Sequence, residues 1–165
     1  MDAKDILTEA FGRLPELVHT AVDGLTPEQL RHRPAGEANS IGWLIWHLTR
    51  VQDDHVAEVM GAGQIYATGD WAPRFGLKDA EDTGYGHDAV QVAAVAPESV
   101  QTLVDYYTAV HERTIGYLAG LSEADLDRVV DERWDPPVTL GVRLVSVYDD
   151  DAQHAGQAAY VRGLL

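Results

Sequence analysis

"SIGWLIWHLTRVQDDHVAEVMG", residues 40–61, reads as one long helix with both ends marked. Ser40 is a natural N-cap, since its hydroxyl can accept from an unpaired amide of the first turn. Gly61 is a natural stop, because the left-handed residue that ends many helices is usually glycine. No proline interrupts the run. Working outward, residues 3–22 repeat the amphipathic pattern through Ile6, Leu7, Ala10, Leu14, Leu17, Val18 and Val22. Pro15 lies inside that run and is expected to kink the helix or to mark its true start. Thr26, Pro27 and Gln29 supply cap, N1 and N3 of a short helix between the two. A third long helix is predicted over about 97–119. Ser122 caps a short turn after it, "DPPVT" is a break, and a fourth long helix covers about 140–162. Four long helices predict an all-α four-helix bundle with short connecting helices and one long loop, a single domain over 1–165.

The two halves echo each other. "GLTPEQLRHRP…SIGWLIWHL" is similar to "GLSEADLDRVV…TLGVRLVSV", each running long helix, Gly-Leu, capped short helix, loop, long helix. The segment 62–96 is long for a loop in a compact domain, which predicts a functional or partly helical segment. It holds Trp71, Phe75, Tyr85 and His87, side chains that pack on something rather than project into water.

Composition narrows the function classes. The chain has 165 residues, 45% of them apolar, enough to bury a real core. Its formal net charge is −15, and ten Arg and two Lys form no cluster. Such a surface repels phosphates and anionic lipids, so nucleic acid and membranes are not expected partners. No run reaches the length of a membrane span and the charged start has no apolar signal core, which predicts a soluble cytoplasmic protein. There is no cysteine. Disulfides, thiolate metal sites and a cysteine nucleophile are therefore excluded, and any thiol chemistry needs a thiol carried in by a small molecule.

The last helix carries an anomaly, "VYDDDAQHAGQ" over 147–157. Asp150 and His154 are four residues apart and share a helix face with Val147, Ala158 and Val161, which are core-like. A carboxylate on a core face must be paired or coordinate something. His47, flanked by Trp43, Leu44 and Leu48, lies on an apolar face of the first half. Together His47, Asp150 and His154 make a two-histidine, one-carboxylate set of the kind that holds a catalytic metal with open positions. The plainer alternative is a hydrogen-bonded core histidine beside a solvated acidic run. His19, His32 and His111 read as surface or satisfied histidines. His55 lies well round the helix from His47, although the internal echo aligns it with His154.

"IGWLIWHL", "GDWAPRFGL…DTGYGHDAVQVAAV" and "D-x-x-x-H-A-G-Q", taken in order, resemble the DinB-like superfamily. They are most similar to the branch with the mycothiol-dependent transferases and the N-terminal domain of mycothiol-dependent maleylpyruvate isomerase. The resemblance covers nearly the whole chain. It implies an up-down-down-up bundle whose metal ligands correspond to His47, Asp150 and His154. Many members place histidine where this chain has Asp150, and the isomerase branch uses a carboxylate there, which leaves the metal's identity open.

The resemblance and the residues together predict a divalent-metal-dependent thiol S-transferase or thiol-dependent isomerase. Zinc is the first expectation, with nickel or iron as alternatives, and mycothiol is the expected cosubstrate alongside a small electrophile. Trp46, Trp71, Tyr85 and His87 are the expected pocket residues. Gln157 and Asp151 are expected around the ligands, with Asp149 and Asp151 otherwise solvated. A homodimer is also considered. The alternatives are a metal-dependent hydrolase using Asp151 or Asp54 as base, and a non-enzymatic stress-related bundle or dimerisation module.

Overall fold

The computed structural model describes all 165 residues. Helix α1 (Ala3–Val22) opens with a reciprocal Asp2–Asp5 capping box. It runs through Pro15 as a single element, neither starting there nor dividing. Pro15 removes one backbone donor, while Leu14 and Val18 on either side of it are buried and hold both parts to the core. Helix α2 (Pro27–Arg31) carries the predicted Thr26–Gln29 capping box. Helix α3 (Ile41–Met60) is capped by Ser40 and ends at Gly61, whose φ of 64° is the left-handed conformation anticipated there.

The long segment folds into three short helices, α4 (Ile65–Thr68), α5 (Trp71–Arg74) and α6 (Ala89–Ala94). It is pinned by Tyr66, Phe75, Val92 and Val95, all buried. Wholly buried Arg50 of α3 reaches into it, donating to the Asp82 carbonyl and to Gln64 Oε1. Neighbouring Asp53 accepts from the Ile65 and Tyr66 amides, from the Tyr106 hydroxyl and from Arg113. A buried ion pair is tolerable only when its remaining hydrogen-bonding capacity is satisfied, as that of Arg50 and Asp53 is.

Helix α7 (Val100–Gly120) begins three residues later than the pattern predicted, because Ser99 is its cap. Pro97 instead packs over Gly42, where a Cβ would come within 2.9 Å of the proline ring. A 3₁₀ turn (Glu123–Asp127) follows. The expected break is a two-stranded antiparallel hairpin, β1 (Val129–Asp131) and β2 (Val138–Thr139), leading directly into helix α8 (Leu140–Arg162).

Helix α3 packs on α8 and α7, and α1 packs on the same two, so α1 and α3 face each other across the bundle. Phe11, Leu14, Val18, Ile41, Leu44, Leu48, Val110, Leu118, Leu144 and Val147 fill the space between the four helices. The fold is all-α apart from the hairpin, and no helix is long and apolar enough to cross a membrane.

The internal echo has a structural counterpart. In the first half, a Cβ on Gly42 would lie 3.0 Å from the backbone carbonyl of Leu30. In the second, a Cβ on Gly141 would lie 3.3 Å from that of Leu126. Each glycine is the second residue of its long helix and admits the buried leucine of the preceding short helix to close approach.

Candidate metal centre

Helix α3 presents His47 and helix α8 presents Asp150 and His154 to a common point. One ligand-capable atom from each lies within 4.8 Å of the others. His47 is buried, and Trp43, one turn earlier, stacks on its ring with centroids 4.5 Å apart. The two imidazoles meet nearly edge-on, centroids 4.9 Å apart.

The backbone fixes both tautomers. His47 Nδ1 lies 2.5 Å from the Thr83 carbonyl, and His154 Nδ1 lies 2.9 Å from the carbonyl of Asp150. A carbonyl only accepts. Each Nδ1 therefore donates, and each neutral ring leaves Nε2 with a free lone pair. Orienting a ligand histidine through its other nitrogen is how proteins set a metal site.

The two rings are tuned in opposite directions. Burial pulls the His47 pKa below its ordinary value, against the pull of the Thr83 carbonyl. Burial acts the same way on His154, but the adjacent Asp150 carboxylate, together with the Asp150 carbonyl, outweighs it and its pKa rises. Asp150 Oδ2 is buried, stands 3.4 Å from His154 Nδ1 and makes no hydrogen bond. Two imidazole nitrogens and a buried carboxylate oxygen without a hydrogen-bonding partner are a donor set suited to zinc, nickel or iron. The residues therefore fit a divalent cation, which would satisfy the oxygen the protein leaves unpaired.

A cavity of about 630 Å³ reaches the ligands, with His47 and Asp150 in its lining. Thr83 and Tyr85 line it from the long segment, Asp54 and His55 from α3, and Arg143 and Ser146 from α8. Asp131, Arg133, Trp134 and Val138 of the hairpin complete it. That volume is within the range of small-molecule sites.

The DinB superfamily model matches residues 10–158. The chain belongs to the DinB superfamily. The crystal structure of a conserved protein from Enterococcus faecalis shares the fold, with a TM-score of 0.89 and 32% identity over 98% of this chain and 96% of that one. No match is found among curated proteins. The match is to the DinB superfamily as a whole.

Within this DinB-superfamily bundle, Tyr85 lines the cavity, whereas the other three residues predicted there, Trp46, Trp71 and His87, do not. Trp46 is fully buried and donates to the Tyr66 hydroxyl at 3.2 Å. Trp71 packs on Tyr106, with the Arg74 guanidinium over its ring. His87 stacks on Trp46, accepts from Trp43 Nε1 at Nδ1 and meets Asp82 at Nε2. These three tie the long segment to the bundle rather than wall the cavity.

Two expectations around the ligands are corrected. Gln157 is exposed and bonds to no ligand, because its place on α8 turns it outward. Asp151 is neither solvated nor bonded to a ligand. It is fully buried with both oxygens unpartnered, beside Tyr107, and burial pushes its pKa well above the carboxylate range. Nor is His111 satisfied: its Nδ1 is buried without a partner. His19 and His32 are exposed as predicted.

The sequence reading missed Thr83 and Gly84. Gly84 has a φ of +86°, and a Cβ there would lie 2.8 Å from His47 Nδ1. The glycine lets the loop backbone approach the imidazole it orients. The doublet of glycines in "TGYG" was the available signal.

Proposed function

We propose that this chain is a divalent-metal-dependent thiol S-transferase, or a thiol-dependent isomerase, with zinc as its metal and mycothiol as its thiol. The observation that carries the reading is the convergence of His47, Asp150 and His154, with His47 and Asp150 lining a cavity large enough for a thiol and an electrophile. A divalent cation held by three protein ligands keeps coordination positions open and lowers the pKa of a thiol bound to it. The protein's part is positioning. The Thr83 and Asp150 carbonyls hold the imidazoles in the ligating tautomer, and Asp150 contributes the negative charge. In transfer, the thiol loses its proton, a carbon–sulfur bond forms and the electrophile's leaving group departs with its electron pair. In isomerisation, the same bond forms and later breaks, returning the thiol. The absence of cysteine fits a thiol supplied from outside. The acidic surface fits a cytoplasmic protein with small-molecule partners rather than nucleic acid or membrane, and a homodimer belongs to the same proposal.

A hydrolase is the second reading, favoured by one observation: Asp54 lines the cavity and could serve as a base. Asp151 is removed from that role by its burial. The deciding experiment incubates metal-loaded protein with a thiol-reactive chromophore and, in turn, mycothiol, glutathione or another bacterial thiol. Acceleration with one thiol that vanishes in Asp150→Ala supports transfer. No acceleration with any thiol, alongside ester or amide hydrolysis, replaces it with the second reading.

A further inference from the structure

One side of the cavity is built from residues outside the metal-ligand set. Asp131 of β1 lies at its centre, with its side chain 4% exposed. Arg133 donates to it through Nε and Nη2, each at 2.8 Å. Arg143 of α8 donates to it through Nη2 at 3.0 Å, and its Nη1 reaches His55 Nδ1 at 2.7 Å. A guanidinium only donates, so His55 Nδ1 accepts and its ring proton sits on Nε2. Burial, and then the charge of Arg143, lower the His55 pKa and keep the ring neutral at pH 7.

The consequence is chemical. Both Asp131 oxygens are used, so the polar atoms this group has left to offer are donors. His55 Nε2, Arg143 Nε and Arg133 Nη1 have no partner in the protein, and none is sealed from solvent. All three residues line the cavity. Two guanidiniums around one carboxylate leave positive charge on this side of the cavity, while Asp150, the carboxylate of the metal-ligand set, lies in the same lining and is the one a bound cation would neutralise. Nearby Glu58, 3.8 Å from Arg143 Nη1, is half exposed, and Asp54 already accepts from Gln64 Nε2 at 2.6 Å. Tyr85 and Trp134, 92% and 65% exposed, also line the cavity, flat side chains with little of their own to pack against.

We propose that the Arg133–Asp131–Arg143–His55 wall binds the carboxylate of a small planar acid, aromatic or unsaturated, whose flat portion lies against Tyr85 and Trp134. A carboxylate matches the planar fork of arginine donors, and aromatic faces suit a flat π system. The inference deepens the function proposed above, under which this acid is the electrophile, but its test needs neither thiol nor turnover.

The probes are benzoate and benzamide, alike in shape and different in charge, titrated into metal-free protein. Binding is followed by the nuclear magnetic resonance signals of the Trp134 indole and the Tyr85 ring. Benzoate is expected to shift both and to bind on the order of tenfold more tightly than benzamide, the effect of one charge-assisted contact. Arg143→Gln and Arg133→Gln are each expected to remove most of that preference while leaving cobalt stoichiometry unchanged. Arg133 is 78% exposed, so its variant keeps the test alive if Arg143→Gln fails to fold. Equal binding of the two probes, a preference that survives Arg133→Gln, or displacement of benzoate by inorganic phosphate at equal concentration would each overturn the proposal. Benzoate selectivity without thiol turnover sinks only the transfer reading. Turnover without benzoate selectivity sinks only this one.

Discussion

Gly84 holds its backbone against the imidazole of His47, close enough that a methyl group on it would sit 2.8 Å from Nδ1 and 2.8 Å from the Trp46 ring. Its φ of +86° is also one that side chains rarely adopt. Gly84→Ala is therefore expected to move the Thr83 carbonyl off His47. Metal affinity should fall about 10–100-fold, the usual effect of losing a partner that orients a ligand. Stability should fall by about 1–3 kcal/mol. Metal titration and a thermal melt check both, and wild-type affinity in the variant would contradict the role given to the Thr83 carbonyl.

His154→Ala should lose metal binding by more than about 100-fold, since a ligand matters at least as much as its orienting partner. His32→Ala, on an exposed residue outside the centre, should leave binding unchanged. Bound metal per chain, measured after expression without a histidine tag, separates the two. Equal content in both variants would remove His154 from the ligand set.

Metal affinity should fall with acid in two stages. Protons and cation compete for both rings. His154, whose pKa is raised above 6.5, takes its proton first as pH falls, and the burial-depressed His47 follows at lower pH. Cobalt titrations from about pH 8 down to 5 should show about one decade of affinity lost per pH unit and then about two. Affinity that stays flat until well below 6.5 would show that Asp150 does not raise His154.

Asp151→Leu should stabilise the metal-free protein. The carboxyl is fully buried with neither oxygen bonded, and replacing such a group by an apolar one should gain about 1–3 kcal/mol. The sign with pH follows from linkage. Its folded pKa lies above the unfolded value near 3.8. Between those two values the folded state binds the extra proton, so wild-type stability falls as pH rises. The advantage of leucine should therefore widen from about pH 4 towards neutrality in urea unfolding. A destabilised variant at neutral pH would mean that Asp151 has a bonding partner.

The long helices were legible because their signals are local. Ser40, Thr26 and Gly61 mark ends, and apolar periodicity marks faces. Asp150 and His154 were legible for the same reason, being one helical turn apart. The hairpin was not, since strands of three and two residues are too short to show alternation. Thr83 acts through its carbonyl, which no side-chain pattern announces. Trp46 shows a different limit: an aromatic next to a ligand histidine is as well suited to core as to pocket, and only the partner it meets, here Tyr66, decides. In "DDD", successive residues turn by about 100°, so Asp150 and Asp151 both enter the interior while serving different spaces.

The register that pairs Gly42 with Gly141 also pairs His47 with Ser146, Val51 with Asp150 and His55 with His154. Ser146, Val51 and His55 all line the cavity. By that register the bundle carries a half-furnished second copy of its own centre: one histidine in place, and a serine and a valine where the other histidine and the aspartate would stand. Ser146→His with Val51→Asp would complete the copy, and the Arg143 guanidinium on His55 Nδ1 is the contact that a second cation would have to live beside.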